Sequence, residues 1–426
     1  MSDKIILIWF RNDLRIHDNE ILIEAVKRAE KVIPVYCFDP RYFTETKFGT
    51  KRTGLFRARF LLESVTALRR SLRELGGDLV IRTGKPEDVF PEICSRYKVK
   101  EVYHHREVAP EETAISALVE KVLWKQQINL KHFIGHTLYH KEDLPFPIKN
   151  IPNNFPAFRK KVERESSVRP CFEAPDHITI PEDMKTGELP SLEDLKVGVM
   201  PGHELLEFNF KGGEKEGLLY LKKLLETKIT KGRKSQVPSP LKLSPWLSNG
   251  CISPREVYRE VSKFKKQQPE LCAKIISDLQ WRDYFRFMIK KHGSIMPEER
   301  DDLILSGRKK KRFEEWKSGT TGEGVVDACM HQLNATGYIS DVCRQYTASY
   351  LVNDLGVSWT AGAAYFEEKV IDYSPASNLG GWASVLRHGV ISSNRPLTIQ
   401  YNKVAEEEDI KRWLSEFTNT NLSAEQ

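Results

Sequence analysis

The chain of 426 residues has no uninterrupted apolar stretch near the roughly 20 residues that a membrane-spanning helix needs. Its opening, MSDKIILIWF, lacks a secretory cleavage pattern, so a soluble intracellular protein (cytoplasm or nucleus) without a membrane partner is expected. Cysteine is scarce and dispersed: Cys37, Cys94, Cys171, Cys251, Cys272, Cys329 and Cys343 form no C-x-x-C pair and total an odd seven. That excludes a disulfide framework and leaves reduced packing residues. Histidine and cysteine nowhere cluster at ligand spacing, so no metal is expected. The first apolar run is not followed by G-x-G-x-x-G, which rules out a dinucleotide fingerprint there.

What is present points to two domains, because 426 residues exceed one ordinary core and 40% hydrophobic content is globular. Five apolar runs read as strands: 4–10, 32–38, 79–82, 102–103 and 130–133. Amphipathic stripes lie between them, Leu61, Val65, Leu68 and Leu72 in one, Ile115, Leu118 and Val122 in another. Strand and helix alternating at this spacing predict a doubly wound parallel sheet, a Rossmann-like α/β domain over residues 1–140. Its ligand-facing strand ends would carry Arg11, Asn12, Asp13, His105, Arg106 and Glu107. Residues 141–215 hold nine of the 22 prolines and little periodicity, as a connector would, with a short helix near Phe155. Residues 216–426 read as all helical, with Ser253, Pro254 and Glu256 as a capping box.

The net charge of +7 is compatible with a nucleic-acid partner. Its densest element, Arg308-Lys309-Lys310-Lys311-Arg312, reads as a solvated loop ahead of a helix at 313–316, with phosphate contact or a nuclear import signal as the other readings.

The most informative stretch is 326–382. Val326, Met330 and Leu333 recur at helical spacing, as do Ala348, Leu351 and Leu355, so both segments should be buried. Arg344, Gln345, Asp372 and Asn378 nevertheless stand among them. Ionic groups are rarely buried unpaired, so Arg344 and Asp372 should form a salt bridge that closes on something large and polar. Asn378-Leu379-Gly380-Gly381-Trp382 adds an amide and an indole where a chain lets a planar ring approach.

Asp327, Met330, Leu333, Thr336-Gly337, Arg344-Gln345, Ser358-Trp359, Asp372, Asn378, Gly380 and Trp382 together resemble the photolyase/cryptochrome family, in which this pattern lines a buried FAD. WFRNDLRIHDNE resembles the family's amino-terminal opening, and PVYCFDPRYF, FRARFLLESVTALRRSL and GHTLYHKEDLPF are most similar to its cryptochrome DASH subgroup. The resemblance implies an all-helical FAD-binding domain. It assigns Lys242, Leu243, Ser244, Asp278, Arg282, Tyr338, Asp341, Arg344, Asp372, Ser374 and Asn378 to the cofactor, and Asp278, Trp281 and Gln345 to the substrate. Asn378 would face flavin N5, while Trp382 and Trp359 would be the first steps of an electron path. A folate antenna would sit on the N-terminal domain with Glu107 as one contact.

The implied activity is that of a deoxyribodipyrimidine photo-lyase: blue light drives an electron from reduced flavin into a cyclobutane pyrimidine dimer, preferably in single-stranded or looped DNA, by a monomer. Departures favour another reading, a non-enzymatic photoreceptor acting through protein partners. Pro240-Leu241 stands where the family usually has two hydroxyl residues, Asp341-Val342 replaces Asn-Arg, and Ser384 replaces a lesion-clamping aromatic. The third tryptophan of the usual path has no counterpart in 301–312, leaving Tyr338, Tyr350 or Tyr373 as substitutes. The acidic segment 406–409, before a helix at 410–417, would be the surface that changes.

Overall fold

The computed structural model describes residues 4–198, 210–227, 241–293, 305–386, 404–405, 407 and 410–415. Pro240, most of the acidic segment 406–409 and the end of the helix expected over 410–417 lie outside the described residues. The chain forms two compact units, one of Met1–Tyr42, Arg59–Leu195 and Lys211–Gly293, the other of Phe43–Ala58, Lys196–Phe210 and Ser294–Gln426.

The first unit is built on strands β1 (Ile5–Phe10), β2 (Lys31–Phe38), β3 (Val80–Thr83), β4 (Glu101–His105) and β5 (Asn129–Phe133). They form one sheet in the order β3-β2-β1-β4-β5, every pair parallel. Leu7 pairs with Ile33 on one side and Val102 on the other, which explains why β1 is apolar without alternation: helices cover both faces. Those helices are α1 (Glu20–Arg28), α2 (Leu55–Glu74), α3 (Pro86–Tyr97) and α4 (Pro110–Trp124).

On α4 the buried row is Ile115, Val119 and Leu123, while Leu118 is exposed. The expected stripe through Leu118 and Val122 is thus corrected by one position, since a strict i, i+4 row faces the sheet and Leu118 leans away from it.

The same unit continues through α5 (Phe155–Glu165), α6 (Glu214–Glu226), α7 (Ser244–Ser248), α8 (Pro254–Lys263) and α9 (Pro269–His292). Ser253 caps α8 as expected, accepting from Arg255 N at 3.1 Å. The reciprocal half of the box is absent: Glu256 takes Arg259 at 2.6 Å, and the Ser253 hydroxyl donates to buried Asp18 instead.

In the second unit lie α10 (Gly307–Ser318), α11 (Gly324–Thr336), α12 (Asp341–Asn353), α13 (Trp359–Lys369) and α14 (Pro375–Val385). Their core gathers Phe313, Trp316, Val326, Met330, Leu333, Leu351, Phe366 and Trp382. The basic run at 308–312 is helical, not a loop, because α10 already starts at Gly307; Arg308, Lys309, Lys310 and Lys311 remain exposed. Segment Phe43–Ala58 packs here through Gly54 N to Glu368 O at 3.0 Å and Arg57 Nη1 to Glu367 O at 2.9 Å. Among the described residues no helix is long and apolar enough to cross a membrane.

Candidate functional site

In the second unit the unusual polar residues fall on α12, α14 and the turns before them. Ser340 caps α12, accepting from Cys343 N at 3.1 Å, and this sets Asp341 on its first turn and Arg344 one turn on. The expected ion pair is present: Arg344 Nη2 donates to both oxygens of Asp372 at 2.8 Å, and its Nε donates to Ile339 O at 3.1 Å. Asp372 is buried and Arg344 half-buried. Burial opposes the charge on Arg344, yet the carboxylates of Asp372 and Asp341 outweigh it and hold the guanidinium above its ordinary range. Its Cζ lies 5.6 Å from the centroid of the Tyr338 ring. Gln345 is half-buried on the same helix.

Asn378, half-buried on α14, donates from Nδ2 to Ala363 O on α13 at 3.2 Å. Because that carbonyl can only accept, the amide orientation is fixed and its oxygen is left as the group to offer. Ser374, at the head of α14, makes no capping bond with its side chain. Trp382 is buried in the core with an indole N–H that has no partner, and the half-buried Trp359 has a partnerless buried N–H as well. Other members of the pattern serve the backbone. Asp327 accepts from Thr321 N, Thr321 Oγ1 and Gly322 N at 2.7–3.0 Å. Gly337 closes α11 at φ +70°, where a Cβ would meet Phe56 at 2.8 Å.

In the first unit α9 carries Asp278, Trp281 and Arg282. Asp278 is exposed; Trp281 is half-buried and stacks on Phe155 of α5, centroids 3.7 Å apart and planes 14° apart. Arg282 donates to two backbone carbonyls, His136 O and, at 3.1 Å, Leu247 O on α7. Burial, with Arg286 close by, pulls its guanidinium down to about 10. Lys242 takes φ +53°, Leu243 is buried, and Ser244 begins the short α7.

The strand-end residues come together where the strand order reverses, between β1 and β4. Asp13 meets His105 Nδ1 at 2.6 Å, and Asn12 donates to Glu107 at 2.9 Å. Glu107 is buried, and its other oxygen accepts from Arg286 at 2.8 Å. Desolvation alone would raise its pKa, but His136, Arg286 and Arg11 around it hold the carboxyl below its usual range. Glu112, buried beside that anion, is instead pushed up to about 8 by desolvation and by Glu107.

Sequence reasoning missed four residues here. Asp283 accepts from Leu138 N and Tyr139 N at 3.0 and 2.9 Å and is pushed up to about 7 by burial. Arg286 and Phe155 gave no spacing signal, one being a further charge on a basic helix and the other a lone aromatic among prolines. Gly362 was detectable in principle, since the small-residue run Ala361-Gly362-Ala363-Ala364 marks close approach. A Cβ there would lie 2.3 Å from Trp382.

Residues 6–177 match the family model of DNA photolyase, and residues 275–424 match that of the FAD binding domain of DNA photolyase. A cryptochrome DASH from Gloeobacter violaceus is 41% identical over 401 residues, covering 90% of this chain and 79% of that protein. One from Xenopus laevis is 38% identical over 398 residues, covering 90% and 76%. Among solved structures, a Synechocystis cryptochrome superposes with a TM-score of 0.85 at 36% identity, covering 98% of this chain and 89% of the other. An archaeal photolyase from Sulfolobus tokodaii, solved with two FAD molecules, gives 0.75 at 27% identity, covering 97% and 91%. With the parallel sheet, the helical unit and the Arg344–Asp372 pair already in place, these likenesses show that the chain belongs to the photolyase/cryptochrome family and is most like its cryptochrome DASH group.

Proposed function

We propose that the protein is a FAD-dependent, blue-light-driven photolyase of the cryptochrome DASH type, splitting cyclobutane pyrimidine dimers in single-stranded or looped DNA as a monomer. The observation that carries this is the Asn378 amide, tied by Nδ2 to Ala363 O and so left with an acceptor oxygen. The residues of the second unit fit a flavin by their chemistry: that acceptor, the uncommitted Ser374 side chain, and the partnerless indole N–H of Trp382. There Tyr338, Asp341, Arg344, Asp372, Ser374 and Asn378 would hold the cofactor; in the first unit Lys242, Leu243, Ser244, Asp278 and Arg282 would do so. The division of labour follows 1–140, 141–215 and 216–426, as antenna domain, connector and FAD-binding domain.

When bound and reduced, flavin supplies an electron donor under blue light. The chain positions and tunes. Asn378 Oδ1 would accept a hydrogen bond from a protonated ring nitrogen and so hold the proton there. Trp281, backed on one face by Phe155, would offer the other to an extruded base, with Asp278 and Gln345 as polar contacts. Trp382 and Trp359 would return electrons to the cofactor. A folate antenna at Glu107 requires that carboxylate to release Asn12 or Arg286, and a folate absorption band in purified protein tests for it.

The photoreceptor reading is supported by Ser384, whose hydroxyl is turned onto its own helix at Gly381 O, 2.6 Å away, at the position where the family resemblance implies an aromatic. One assay separates the two. Purified protein with stoichiometric FAD, reduced and exposed to blue light, should restore a dimer-containing single-stranded oligonucleotide. Bound FAD without light-dependent repair leaves the photoreceptor; no flavin on reconstitution defeats both.

A further inference from the structure

The charge of the chain is unevenly placed. Helix α10, Gly307–Ser318, carries six cations and two acids, so +4 of the total +7 sits on this one helix and the remaining +3 is spread over the rest of the chain. The cations crowd one end of it. Arg308, Lys309, Lys310 and Lys311 are all exposed, while the half-buried Arg312 is committed to Leu355 O at 2.8 Å. Among the described residues only Glu315 pairs with any of the four, 3.7 Å from a Lys311 side chain that keeps 79% exposure. Such a cluster holds counter-ions, and a polyanion that replaces them releases them to solution.

The cluster does not serve the helix. The N-terminal N–H groups of a helix favour anions, and α3 and α4 follow that rule with Glu87, Asp88, Glu111 and Glu112 in their first turns. In α10 the first turn has no acid, and Ser306 makes no capping bond with its side chain. Phe313 and Trp316, buried in the core, hold the helix in place instead. Four exposed cations that neither stabilise their own helix nor neutralise an internal group point to an external anion. Its class follows from the surface itself. Both apolar side chains of α10 are buried, so it has nothing to insert into a lipid surface, and a backbone already coiled into a helix is not available as an extended peptide to an import receptor. Long cationic side chains three residues apart, such as Arg308 and Lys311, stand on one side of a helix and suit successive phosphates of one strand. No exposed amide or aromatic group stands among them to read a base.

We propose that α10 is a second nucleic-acid surface, on which residues 308–311 hold the phosphates of undamaged strand whatever its sequence. This rests on the nucleic-acid partner of the function proposed above. The surface adds affinity for damaged and undamaged strand alike and leaves discrimination to the groups that meet the lesion. Its contribution is electrostatic and therefore falls with salt.

Fluorescence anisotropy on the flavin-loaded protein, with one single-stranded oligonucleotide in dimer-containing and undamaged forms, tests the surface. For a single strand each phosphate contact adds about 0.7 to the steepness of log affinity against log salt, so with two to four contacts the combined variant Arg308→Gln, Lys309→Gln, Lys310→Gln and Lys311→Gln should lower that steepness by about 1.5–3. The ratio of damaged to undamaged affinity should stay as it is in the parent. Tm should not fall, since like charges leave the first turn and glutamine is a good helix former. A matched variant, Lys98→Gln, Lys100→Gln, Lys121→Gln and Lys125→Gln, removes as much charge from exposed positions of the first unit and should keep nearly the parent steepness. Unchanged steepness in the α10 variant, or an equal loss in both variants, overturns the surface and leaves the proposed function standing. So does binding to anionic phospholipid vesicles that needs the α10 cations while the dependence on salt with DNA does not. If the unsubstituted protein binds neither strand, the surface and the function fall together.

Discussion

Replacing Gly362 by alanine sets two well-defined effects against each other. In mid-helix the change ordinarily stabilises by about 0.5–1 kcal/mol, through lost freedom of the unfolded backbone. Here the new Cβ would lie 2.3 and 2.7 Å from Cη2 and Cζ2 of Trp382 and 2.5 Å from Cδ2 of Leu351. Ordinary contact begins at 3.4 Å, so the indole must retreat by about an ångström. It has no solvent to retreat into, with Trp382 only 2% exposed and Leu351 at 0%. Overpacking of this kind costs about 1–3 kcal/mol, which leaves a net loss of about 1 kcal/mol, within limits of about 0 and 2.5 kcal/mol, once the helix gain is subtracted.

Urea denaturation should show that loss, Tm should fall by roughly 2–8 °C, and the near-ultraviolet spectrum of Trp382 should change. Gly381 provides the matched control: it is also within a helix, on α14, but a Cβ there meets nothing within 4 Å. Gly381→Ala should therefore gain about 0.5–1 kcal/mol. Equal stabilisation by both substitutions would refute the packing reasoning, and with it the placement of Trp382 against α13.

Asp372→Asn should destabilise by about 2–4 kcal/mol, below the usual cost of halving a buried pair because the Arg344 side chain keeps 21% exposure; a loss under about 1 kcal/mol in urea denaturation contradicts this. Glu112 has a folded pKa of about 8 against 4.5 for the free group, so the folded state binds the extra proton and stability falls as pH rises from 4.5 to 8. Glu112→Gln should accordingly raise Tm at pH 8.5 and leave it near that of the parent at pH 4.5; an equal shift at both values counts against the buried, protonated carboxyl. Ser384→Tyr should tighten binding of a dimer-containing single strand by about 1–3 kcal/mol without changing affinity for the undamaged one, measured by fluorescence anisotropy.

The sheet was legible because continuous apolar runs such as 4–10 admit few alternatives once helices alternate with them, and all five strands formed within two residues of their expected limits. The Arg344–Asp372 pair was legible for a related reason, since an isolated charge amid Val326, Met330 and Leu351 demands a partner. The basic run misled because a cluster of cations at the positive end of a helix dipole is unfavourable, and α10 forms there regardless, held by Phe313 and Trp316 in the core. Contacts set by tertiary approach left less trace. Nothing in the order of residues brings Phe155 onto Trp281 or Phe366 between two tryptophans.

How the arginines are held changes what each can do for an anionic ligand. Arg344 looks like the positive charge of the site, yet Asp372 takes it bidentately and Asp341 adds a second carboxylate nearby, so the group as a whole projects little positive field. Its contribution is a fixed orientation and a guanidinium edge. Arg282 is held differently: it donates to the carbonyls of His136 and Leu247, which orient the guanidinium, while the carboxylates of Asp283 and Glu107 act on its charge from further off. A pKa pulled down to about 10 leaves it charged at neutral pH while recording the cost of that burial, and a bound anion would relieve the cost. Arg344 is thus matched by a carboxylate in direct hydrogen bonds and Arg282 by backbone carbonyls, although the sequence pattern gives both the same rank.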